Sequence, residues 1–425
     1  MIQPLDESIS HDTNGVSPSH PSIIDKQIDQ FVSTTCALHH NANSYASDVV
    51  DQLLKFAQAS GTSDVHVQPT AQGIDLRFRD NGVLRSLTNL TEGSSVSIVT
   101  RLKVLSNLLT YQNDVPQEGR IATPGEMGEI RVSTFPTLYG ERAVLRFFGQ
   151  NSQLQQLDDL GHTPDVHQEI LDALAETSGA LLITGPAGSG KSTTLYASLR
   201  KLVRASGGSR SLLSIEDPIE VPILGVAQAQ VNAAAGFDLH RGLRSLLRQD
   251  PEVIVIGEIR DALTAEIAIQ ACLTGQLMLT TFHADSTATA ISRLMDMGIE
   301  PYLLRSGLIG IVSQRLLRSL CECSQASTNP NEFLGLPIDH CQIARGCDAC
   351  NDTGYRSRVM VSEFMSLKDS SFIDQVIEAR DSRAIYRLAV EKGMKSLWER
   401  STELVREGTT SPAEVRRVLG VTMRI

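Results

Sequence analysis

Apolar side chains recur with two different periods in the first third of the chain. Residues 45–60 and 94–110 show the three-to-four-residue spacing of amphipathic helices. Other stretches alternate apolar and polar positions as strands do, with Asp80-Asn81-Gly82 as a turn between two strands. The strand-like stretches are residues 64–69, 74–84, 119–137 and 141–148. We predict an α+β domain over residues 44–150, preceded by a polar, aperiodic tail at residues 1–43 that we expect to be flexible.

The pattern changes after residues 151–164, a polar stretch that we interpret as a linker. Short, continuous apolar runs then alternate with segments of helical spacing, as expected for a parallel β-sheet covered by helices. The runs are ALLITG, SLLSIED, VIVIGEI and LMLTTFH, which begin at residues 180, 211, 253 and 277. Residues 165–425 are therefore predicted to form one α/β domain, in which residues 312–425 carry a cysteine cluster and several further helices.

Composition narrows the class of protein. A chain of 425 residues is long enough for two or three domains, and a hydrophobic fraction of 41% suffices for packed cores. The formal net charge of −11 disfavours nucleic-acid partners, and with them helicases and recombinases, because phosphate binding needs positive charge. The sequence has no apolar run of bilayer-spanning length, and its polar N-terminus lacks the apolar core of a secretory signal. We expect a cytoplasmic protein that associates with a membrane only through partners.

Residues 185–192, here called the P-loop, match the phosphate-binding pattern G-x-x-x-x-G-K-[ST] in full. A predicted strand precedes the P-loop and a predicted helix follows it, which is the context that phosphate binding requires. Glycines allow the backbone amides to turn toward phosphate, and the helix N-terminus favours an anion. Lys191 is expected to pair with the β- and γ-phosphates of ATP, and the Ser192 hydroxyl to ligate Mg²⁺. The predicted nucleotide-binding residues are Gly185, Pro186, Ala187, Gly188, Ser189, Gly190, Lys191, Ser192 and Thr193.

Two of the predicted strands end in acidic residues. Ligands gather at the carboxyl ends of parallel strands, so Glu216, Asp217 and Glu258 are expected to face the nucleotide. Gly257 stands where a Walker B strand usually carries aspartate, and Glu258 follows it. Glu258 is therefore the candidate general base that activates the attacking water. Glu216 is the candidate for supporting the metal or a second water, and the alternative is that these acids only cap helices.

Four basic residues are further candidates. His283 follows the last apolar run, at the same predicted sheet edge, where it could sense the γ-phosphate or simply be a packed or surface histidine. Arg131, Arg142 and Arg146 lie on predicted strands of the α+β domain. They would form a solvated face on an exposed strand, whereas in a ring they would reach a neighbouring subunit's γ-phosphate. The spacing leaves both alternatives open.

Five of the seven cysteines fall within one window of 30 residues. In a reducing compartment, such a cluster is typical of a metal site rather than of disulfides. The alternative is a group of reduced thiols without metal. The five are Cys321, Cys323, Cys341, Cys347 and Cys350.

With these motifs in place, the chain resembles the type II secretion and type IV pilus assembly ATPases, a branch of the secretion superfamily of P-loop ATPases. The resemblance extends from about residue 63 to residue 419 and rests on nine stretches in the family's order and spacing. These are SDVHVQP, VPQEGRI, IRVSTFPTLYGERAVLR, TGPAGSGKSTTLYA, SIEDPIE, LRQDPEVIVIGEIRD, TTFHAD, CDACNDTGYRSR and GMKSLWE. It implies an α/β, RecA-like P-loop ATPase domain with a parallel central sheet. It also implies a smaller, PAS-like α+β domain before it and a cysteine-rich zinc element with helices after it.

The resemblance also implies roles for the candidate residues. Glu216 lies in the family's aspartate box, near the metal and the attacking water. Glu258 takes the catalytic role in the unusual Walker B strand, and His283 matches the histidine box. The three arginines, Arg131, Arg142 and Arg146, match residues that approach the nucleotide as the two domains move. ATP, Mg²⁺ and Zn²⁺ are the implied cofactors. The implied assembly is a homohexamer that binds a platform protein at the cytoplasmic face of the inner membrane.

The resemblance implies a four-cysteine zinc site whose ligands are Cys321, Cys323, Cys347 and Cys350. A tetrahedral thiolate site uses two close pairs. Cys347 and Cys350 have the regular C-x-x-C spacing, whereas Cys321 and Cys323 are one residue closer than usual. Cys341, with His340 beside it, is therefore an alternative ligand.

The leading function is an ATPase motor that powers assembly of a type II secretion pseudopilus, a type IV pilus or a competence filament. A pilus-retraction ATPase is the alternative among motors, and the cysteine cluster disfavours it because retraction members of the family generally lack that element. A nucleotide-binding regulator or scaffold with little turnover is the alternative of another class. The intact Lys191, Ser192 and Glu258 disfavour that alternative.

Overall fold

The first part of the chain forms an antiparallel sheet covered by helices. The structure is a computed structural model that describes residues 23–38, 44–90, 95–122, 129–147 and 156–420. The elements before residue 148 are α1 (Ile23–Cys36), α2 (Tyr45–Ser60), β1 (Asp64–Thr70), β2 (Gly73–Asp80), β3 (Val83–Leu90), α3 (Ser95–Leu105), β4 (Gln117–Ala122), β5 (Glu129–Thr137) and β6 (Gly140–Phe147). The strand order is β3-β2-β1-β6-β5-β4, and every neighbouring pair is antiparallel. One face of the sheet is buried under the helices in a core that includes Leu53, Phe78 and Leu145.

Helix α1 corrects the expectation of a flexible tail over residues 1–43. Phe31 is buried, and its ring centroid lies 5.8 Å from that of Phe56 on α2. The helix is short and mostly polar, so its stability comes from this packing rather than from a strong local pattern. Residues 1–22 and 39–43 lie outside the described residues.

The helices, strands and turn predicted for residues 44–150 are present where the structure describes that part, with one helix shorter than predicted. The turn between β2 and β3 has Asn81 and Gly82 at φ angles of 46° and 81°, as a tight hairpin requires. Helix α3 is shorter than predicted, and Asn107 beyond its end has a left-handed φ of 57°. The predicted hairpin loop at residues 123–128 lies outside the described residues. The domain boundaries and the PAS-like assignment stay predictions.

The second sheet contains the predicted parallel strands together with further strands that were not predicted. The α-helices and strands after residue 156 are α4 (Pro164–Leu174), β7 (Gly179–Thr184), α5 (Lys191–Ser206), β8 (Leu212–Glu216), β9 (Ala227–Gln230), α6 (Leu239–Leu246), β10 (Val253–Ile259), α7 (Ala262–Leu273), β11 (Leu277–Phe282), α8 (Thr287–Asp296), α9 (Pro301–Gly307), β12 (Leu308–Leu320), β13 (Gln325–Ser327), β14 (Cys341–Ile343), β15 (Tyr355–Ser366), α10 (Ser370–Ala379), α11 (Ser382–Glu391), α12 (Leu397–Arg406) and α13 (Pro412–Leu419). The order is β15-β12-β7-β11-β10-β8-β9, parallel except for the antiparallel pair β12–β15. Apolar cores cover both faces.

Strands β12 and β15 were missed because only helices were expected in that region. Both faces of β12 are largely covered, so its apolar residues do not alternate with polar ones. Strands β13 and β14 form a separate two-stranded sheet within the cysteine window, residues 321–350. Among the described residues, no helix has the length and apolar character needed to cross a bilayer.

Candidate functional site

The P-loop connects β7 to α5 and is shaped by its glycines. Gly185, Gly188 and Gly190 have φ angles of 149°, 75° and 89°, values that residues with a side chain rarely adopt. Gly190 is the N-cap of α5, so the first amides of this 16-residue helix face the loop. A Cβ at Gly185 would lie 2.6 Å from the carbonyl oxygen of Gln314 on β12. The loop therefore has the backbone conformation and the helix dipole of an anion site.

Lys191 folds back onto the P-loop. Its ammonium nitrogen donates hydrogen bonds to the carbonyl oxygens of Gly185 at 2.8 Å and Pro186 at 2.9 Å. Burial lowers the pKa of Lys191, while the nearby Glu258 carboxylate opposes that shift. An incoming phosphate would replace these carbonyl oxygens as the partner of the ammonium group.

Gln314 holds the P-loop from behind, and sequence reasoning missed it. The side chain is fully buried on β12. Its Nε2 donates to the carbonyl of Ser189 at 2.9 Å, and its Oε1 accepts from the hydroxyl of Thr194 at 3.0 Å. One amide thus ties the loop to the first turn of α5. The only available signal was a glutamine within an apolar stretch, which does not indicate its partner.

Glu216 is buried at the carboxyl end of β8. Its carboxylate accepts hydrogen bonds from Tyr196 at 2.5 Å, Ser214 at 2.6 Å and Gln228 at 3.0 Å. A Cβ at Gly257 on the adjacent strand would lie 3.5 Å from Cγ of Glu216. The Glu216 side chain therefore lies next to Gly257, the position at which a Walker B strand usually carries aspartate.

Glu220 joins this acidic group, although it was not among the predicted site residues. Ser192 and Glu220 both line the same cleft, and the Ser192 side chain lies near the Glu220 carboxylate. Burial raises the pKa of Glu220, and the Ser192 contact and the guanidinium groups of Arg146 and Arg131 oppose that shift. The hydroxyl predicted to ligate Mg²⁺ thus lies beside an acidic side chain.

Glu258 and His283 lie side by side at the ends of neighbouring strands. His283 Nε2 is 2.9 Å from Oε1 of Glu258, and Nε of Arg260 is 3.0 Å from Oε2. The register of β10 shifts at Gly257, whose carbonyl accepts a hydrogen bond from Thr281 at 2.7 Å. The Glu258 side chain is 21% exposed. It is therefore open to the cleft rather than committed to a helix cap.

These groups line one cleft of about 310 Å³, here called the P-loop cleft. It brings together nearly all of the predicted acidic and basic residues with Tyr196, Glu220 and Arg260. The predicted residues in its lining are Ala187, Gly188, Lys191, Ser192, Glu216, Asp217, Glu258, His283, Arg131 and Arg146. A larger cavity of about 530 Å³ lies between α4, β15 and α11–α12, away from the P-loop.

The structure separates the three predicted arginines. Arg131 and Arg146 are direct cross-strand neighbours on β5 and β6, and both line the P-loop cleft. Arg146 donates from Nε to Asp64 at 2.9 Å. Arg142 is absent from the lining and contacts Nδ1 of His66 at 2.7 Å. Two of the three therefore accompany the phosphate-binding residues.

Four cysteines converge in the C-terminal part. The sulfur atoms of Cys321, Cys323, Cys347 and Cys350 all lie within 4.8 Å of one another. The Cys321–Cys347 and Cys323–Cys350 separations are both 3.8 Å, and the Cys347–Cys350 separation is 3.7 Å. Four sulfurs at about 2.3 Å from a tetrahedral zinc would be about 3.8 Å apart. The four thiols therefore fit a zinc ion.

The alternative ligands lie elsewhere. Cys341 is buried on β14 in an apolar cluster with Leu317 and Val405. The exposed His340 is paired through Nδ1 with Asp339 at 2.6 Å. The tight Cys321-x-Cys323 spacing thus does not require a substitute ligand.

Comparison with known proteins gives concordant matches. A family described as "Type II/IV secretion system protein" matches residues 40–417. The putative type II secretion system protein E of Escherichia coli K12 is 36% identical over 98% of this chain and 87% of its own length. The type II secretion system ATPase E of Vibrio cholerae is 38% identical over 87% of this chain and 74% of its own. The type IV pilus assembly ATPase PilB of Thermus thermophilus is 35% identical over 92% of this chain and 44% of its own.

Solved structures with low sequence identity share the fold. The Legionella pneumophila ATPase DotB aligns with a TM-score of 0.64 at 19% identity, over 87% of this chain and 95% of its own. The pilus retraction motor PilT aligns with a TM-score of 0.59 at 22% identity, over 88% and 98%. The predicted α/β fold with a parallel central sheet is confirmed. The chain belongs to the type II/IV secretion system protein family and is one of its ATPases.

Proposed function

We propose that this protein hydrolyses ATP in the P-loop cleft and uses the energy to drive assembly of a type II secretion pseudopilus or a related type IV filament. The observation that carries the proposal is the convergence of Lys191, Glu258 and His283 in one cleft behind a complete P-loop. The assembly role is supported by relatives named type II secretion ATPase E and type IV pilus assembly ATPase PilB. The four-cysteine cluster favours assembly over retraction.

The chemistry is distributed over residues of the cleft. Lys191 exchanges its loop carbonyls for the β- and γ-phosphates of ATP. Ser192, Glu216 and Glu220 would hold Mg²⁺, which neutralises phosphate charge when bound. Glu258 accepts a proton from the attacking water, and His283, 2.9 Å away, orients that carboxylate and contacts the γ-phosphate side of the cleft.

Arg131 and Arg146 connect hydrolysis to motion. They reach the cleft from the antiparallel sheet, whereas the P-loop belongs to the parallel sheet. Phosphate charge therefore attracts one sheet toward the other, and loss of the γ-phosphate weakens that attraction. Arg142, paired with His66, supports this face without reaching the nucleotide.

The wider assembly follows the family. The active form would be a homohexamer at the cytoplasmic face of the inner membrane, held there by a platform protein and other secretion components. Zinc bound by Cys321, Cys323, Cys347 and Cys350 would have a structural role, because four thiolates leave no coordination position for substrate.

The test is steady-state phosphate release by the purified protein, measured with its mass in solution over a range of concentrations. We expect turnover per chain to rise as hexamers form, and Lys191→Ala protein prepared in parallel controls for contaminating ATPases. Intact wild-type hexamers that bind ATP without releasing phosphate would contradict the proposal and favour a regulator.

A further inference from the structure

Glu363 on β15 is a fully buried carboxylate outside the P-loop cleft. Its Oε1 accepts hydrogen bonds from the backbone nitrogen of Thr287 at 3.1 Å and from the Thr287 hydroxyl at 3.2 Å. Its Oε2 accepts from the hydroxyl of Tyr386 at 2.9 Å and from the backbone nitrogen of Leu397 at 3.0 Å. One side chain therefore joins three helices, α8, α11 and α12.

The donors explain how an acid is accommodated there. Thr287 and Leu397 are the first residues of α8 and α12, so two helix N-termini direct their dipoles at the carboxylate. Burial raises the pKa of Glu363, and the hydrogen bonds from Thr287, Leu397 and Tyr386 oppose that shift. An apolar residue would leave these four donors without a partner, which is costly in a protein interior.

The segment between His283 and Thr287 is short and held at several points. Arg315, buried on β12, donates to the carbonyl of Asp285 at 2.7 Å. Arg293 of α8 donates to the carbonyl of His283 itself. Only three residues separate His283 from Thr287, the first residue of α8. A shift of the N-terminus of α8 would therefore also move the His283 imidazole, which lies 2.9 Å from Glu258.

The other side of Glu363 leads to the linker. Leu397 begins α12, and Arg400 one turn later donates to the hydroxyl of Thr163 at 2.6 Å and to Asp165 at 3.1 Å. Both partners lie at the start of α4, where the linker ends. The stretch GMKSLWE, residues 393–399, thus lies between the linker and Glu363.

We infer that Glu363 is a positioning residue for ATP hydrolysis: it fixes His283 against Glu258 and ties that segment, through α12, to the end of the linker. The inference rests on the proposed function of the P-loop cleft. It gives a role to a residue that lies outside the P-loop cleft and whose hydrogen-bond partners in the described part of the chain, Thr287, Tyr386 and Leu397, are not predicted site residues.

The test is the substitution Glu363→Gln, which keeps the shape of the side chain but leaves one acceptor oxygen for four donors. We expect kcat for ATP hydrolysis to fall about tenfold, because small misplacements of catalytic groups have large effects on rate. The KM for ATP should change by less than about threefold, because the P-loop is held by Gln314 and not by Glu363. In a His283→Ala background, Glu363→Gln should lower kcat by no more than about twofold further.

Glu414→Gln is the matched control, because Glu414 is also a fully buried glutamate in the C-terminal part of the chain. Its partners are Arg318 and Arg417, and it makes no hydrogen bond to the segment between His283 and Thr287 among the described residues. Its kcat should stay within about twofold of wild type. If Glu363→Gln does not fold, Tyr386→Phe removes one of the four donors and can be compared in the same two backgrounds, wild type and His283→Ala. We expect Tyr386→Phe to lower kcat about threefold in the wild-type background.

Unchanged kcat in the Glu363→Gln protein, or equal losses with and without His283, would overturn the inference while leaving the proposed function standing. A wild-type protein that fails to hydrolyse ATP would overturn the proposed function instead. A His283→Ala protein with full activity would overturn both the role of His283 and the inference.

Discussion

His283 and Glu258 face each other at the carboxyl end of the parallel sheet, with Nε2 of the imidazole 2.9 Å from Oε1 of the carboxylate. Strands β10 and β11 are hydrogen-bonded neighbours, and the register places Glu258 beside Thr281, two residues before the histidine. The second carboxylate oxygen faces Arg260. Both partners orient the carboxylate toward the P-loop cleft, where a water attacking the γ-phosphate would lie.

Replacing Lys191 by alanine should weaken ATP binding by about thirtyfold, because a charge-assisted contact contributes about 2 kcal/mol. Isothermal titration with a non-hydrolysable ATP analogue gives the Kd. Lys201→Ala is the control, since Lys201 lies on the same helix but outside the lining of the cleft. Unchanged affinity in Lys191→Ala would remove the basis for placing phosphate in this loop.

Replacing Gln314 by alanine should affect both stability and nucleotide binding. The Ser189 carbonyl and the Thr194 hydroxyl lose their partner, which we expect to lower the free energy of unfolding by about 1–3 kcal/mol. The Kd for ATP should rise, because the P-loop is no longer held in its binding conformation. Thermal unfolding with and without nucleotide measures both effects. Gln342→Ala, which changes a partly buried glutamine on β14, is the control and should leave the ATP-induced stabilisation intact. Equal ATP-induced stabilisation in the Gln314→Ala and Gln342→Ala proteins would contradict this role for Gln314.

We expect the protein to become less stable as the pH is lowered, because His162 is buried. Burial lowers its pKa to about 4, helped by the nearby His167; its Nδ1 contacts Ser362 at 2.8 Å, and its Nε2 has no hydrogen-bond partner among the described residues. Between pH 6.5 and about 4 the unfolded chain binds a proton that the folded chain does not, so acidification over this window favours unfolding. The full effect is on the order of 3 kcal/mol.

Thermal midpoints between pH 7.5 and 5 test this expectation. A His162→Asn variant keeps a polar contact with Ser362 but cannot titrate, so its midpoint should fall less steeply than that of the wild type. Identical pH dependence in the two proteins would show that His162 does not contribute.

Metal analysis should find about one zinc per chain, bound by the four converging cysteines. Changing Cys347 and Cys350 to serine should abolish zinc binding and lower the thermal midpoint. Cys341→Ser should retain the metal, because Cys341 packs in the apolar cluster instead of joining the four thiols. Zinc retained in the double variant, or a folded wild type that binds none, would refute the site.

The sequence could predict those parts of the site that local patterns encode. The P-loop is contiguous, and parallel strands bring their carboxyl ends to one edge, so the sequence alone sufficed to place Lys191, Glu258 and His283 together. The fold class followed from the same alternation of strands and helices. Helix α1 was missed because its few apolar residues are stabilised by packing against α2 rather than by a strong local signal.

Other residues depend on partners that spacing does not reveal. Gln314 lies more than 120 residues after the P-loop it holds, on a strand with both faces largely covered. Arg142 and Arg146 share a strand, yet only Arg146 lines the P-loop cleft. Cys341 resembled a zinc ligand in sequence, but its strand buries it in an apolar cluster. In each case the tertiary neighbour decides the role.

The most direct test of the central claim is the rate of ATP hydrolysis by the Glu258→Gln protein at saturating Mg²⁺ and ATP, measured together with its ATP affinity. Glu266→Gln, on the exposed side of α7, serves as the control. If Glu258 is the general base of an ATP-driven motor, turnover should fall at least about a hundredfold while the Kd for ATP stays within about twofold. Turnover near that of the wild type would contradict the account of this cleft as the site of hydrolysis.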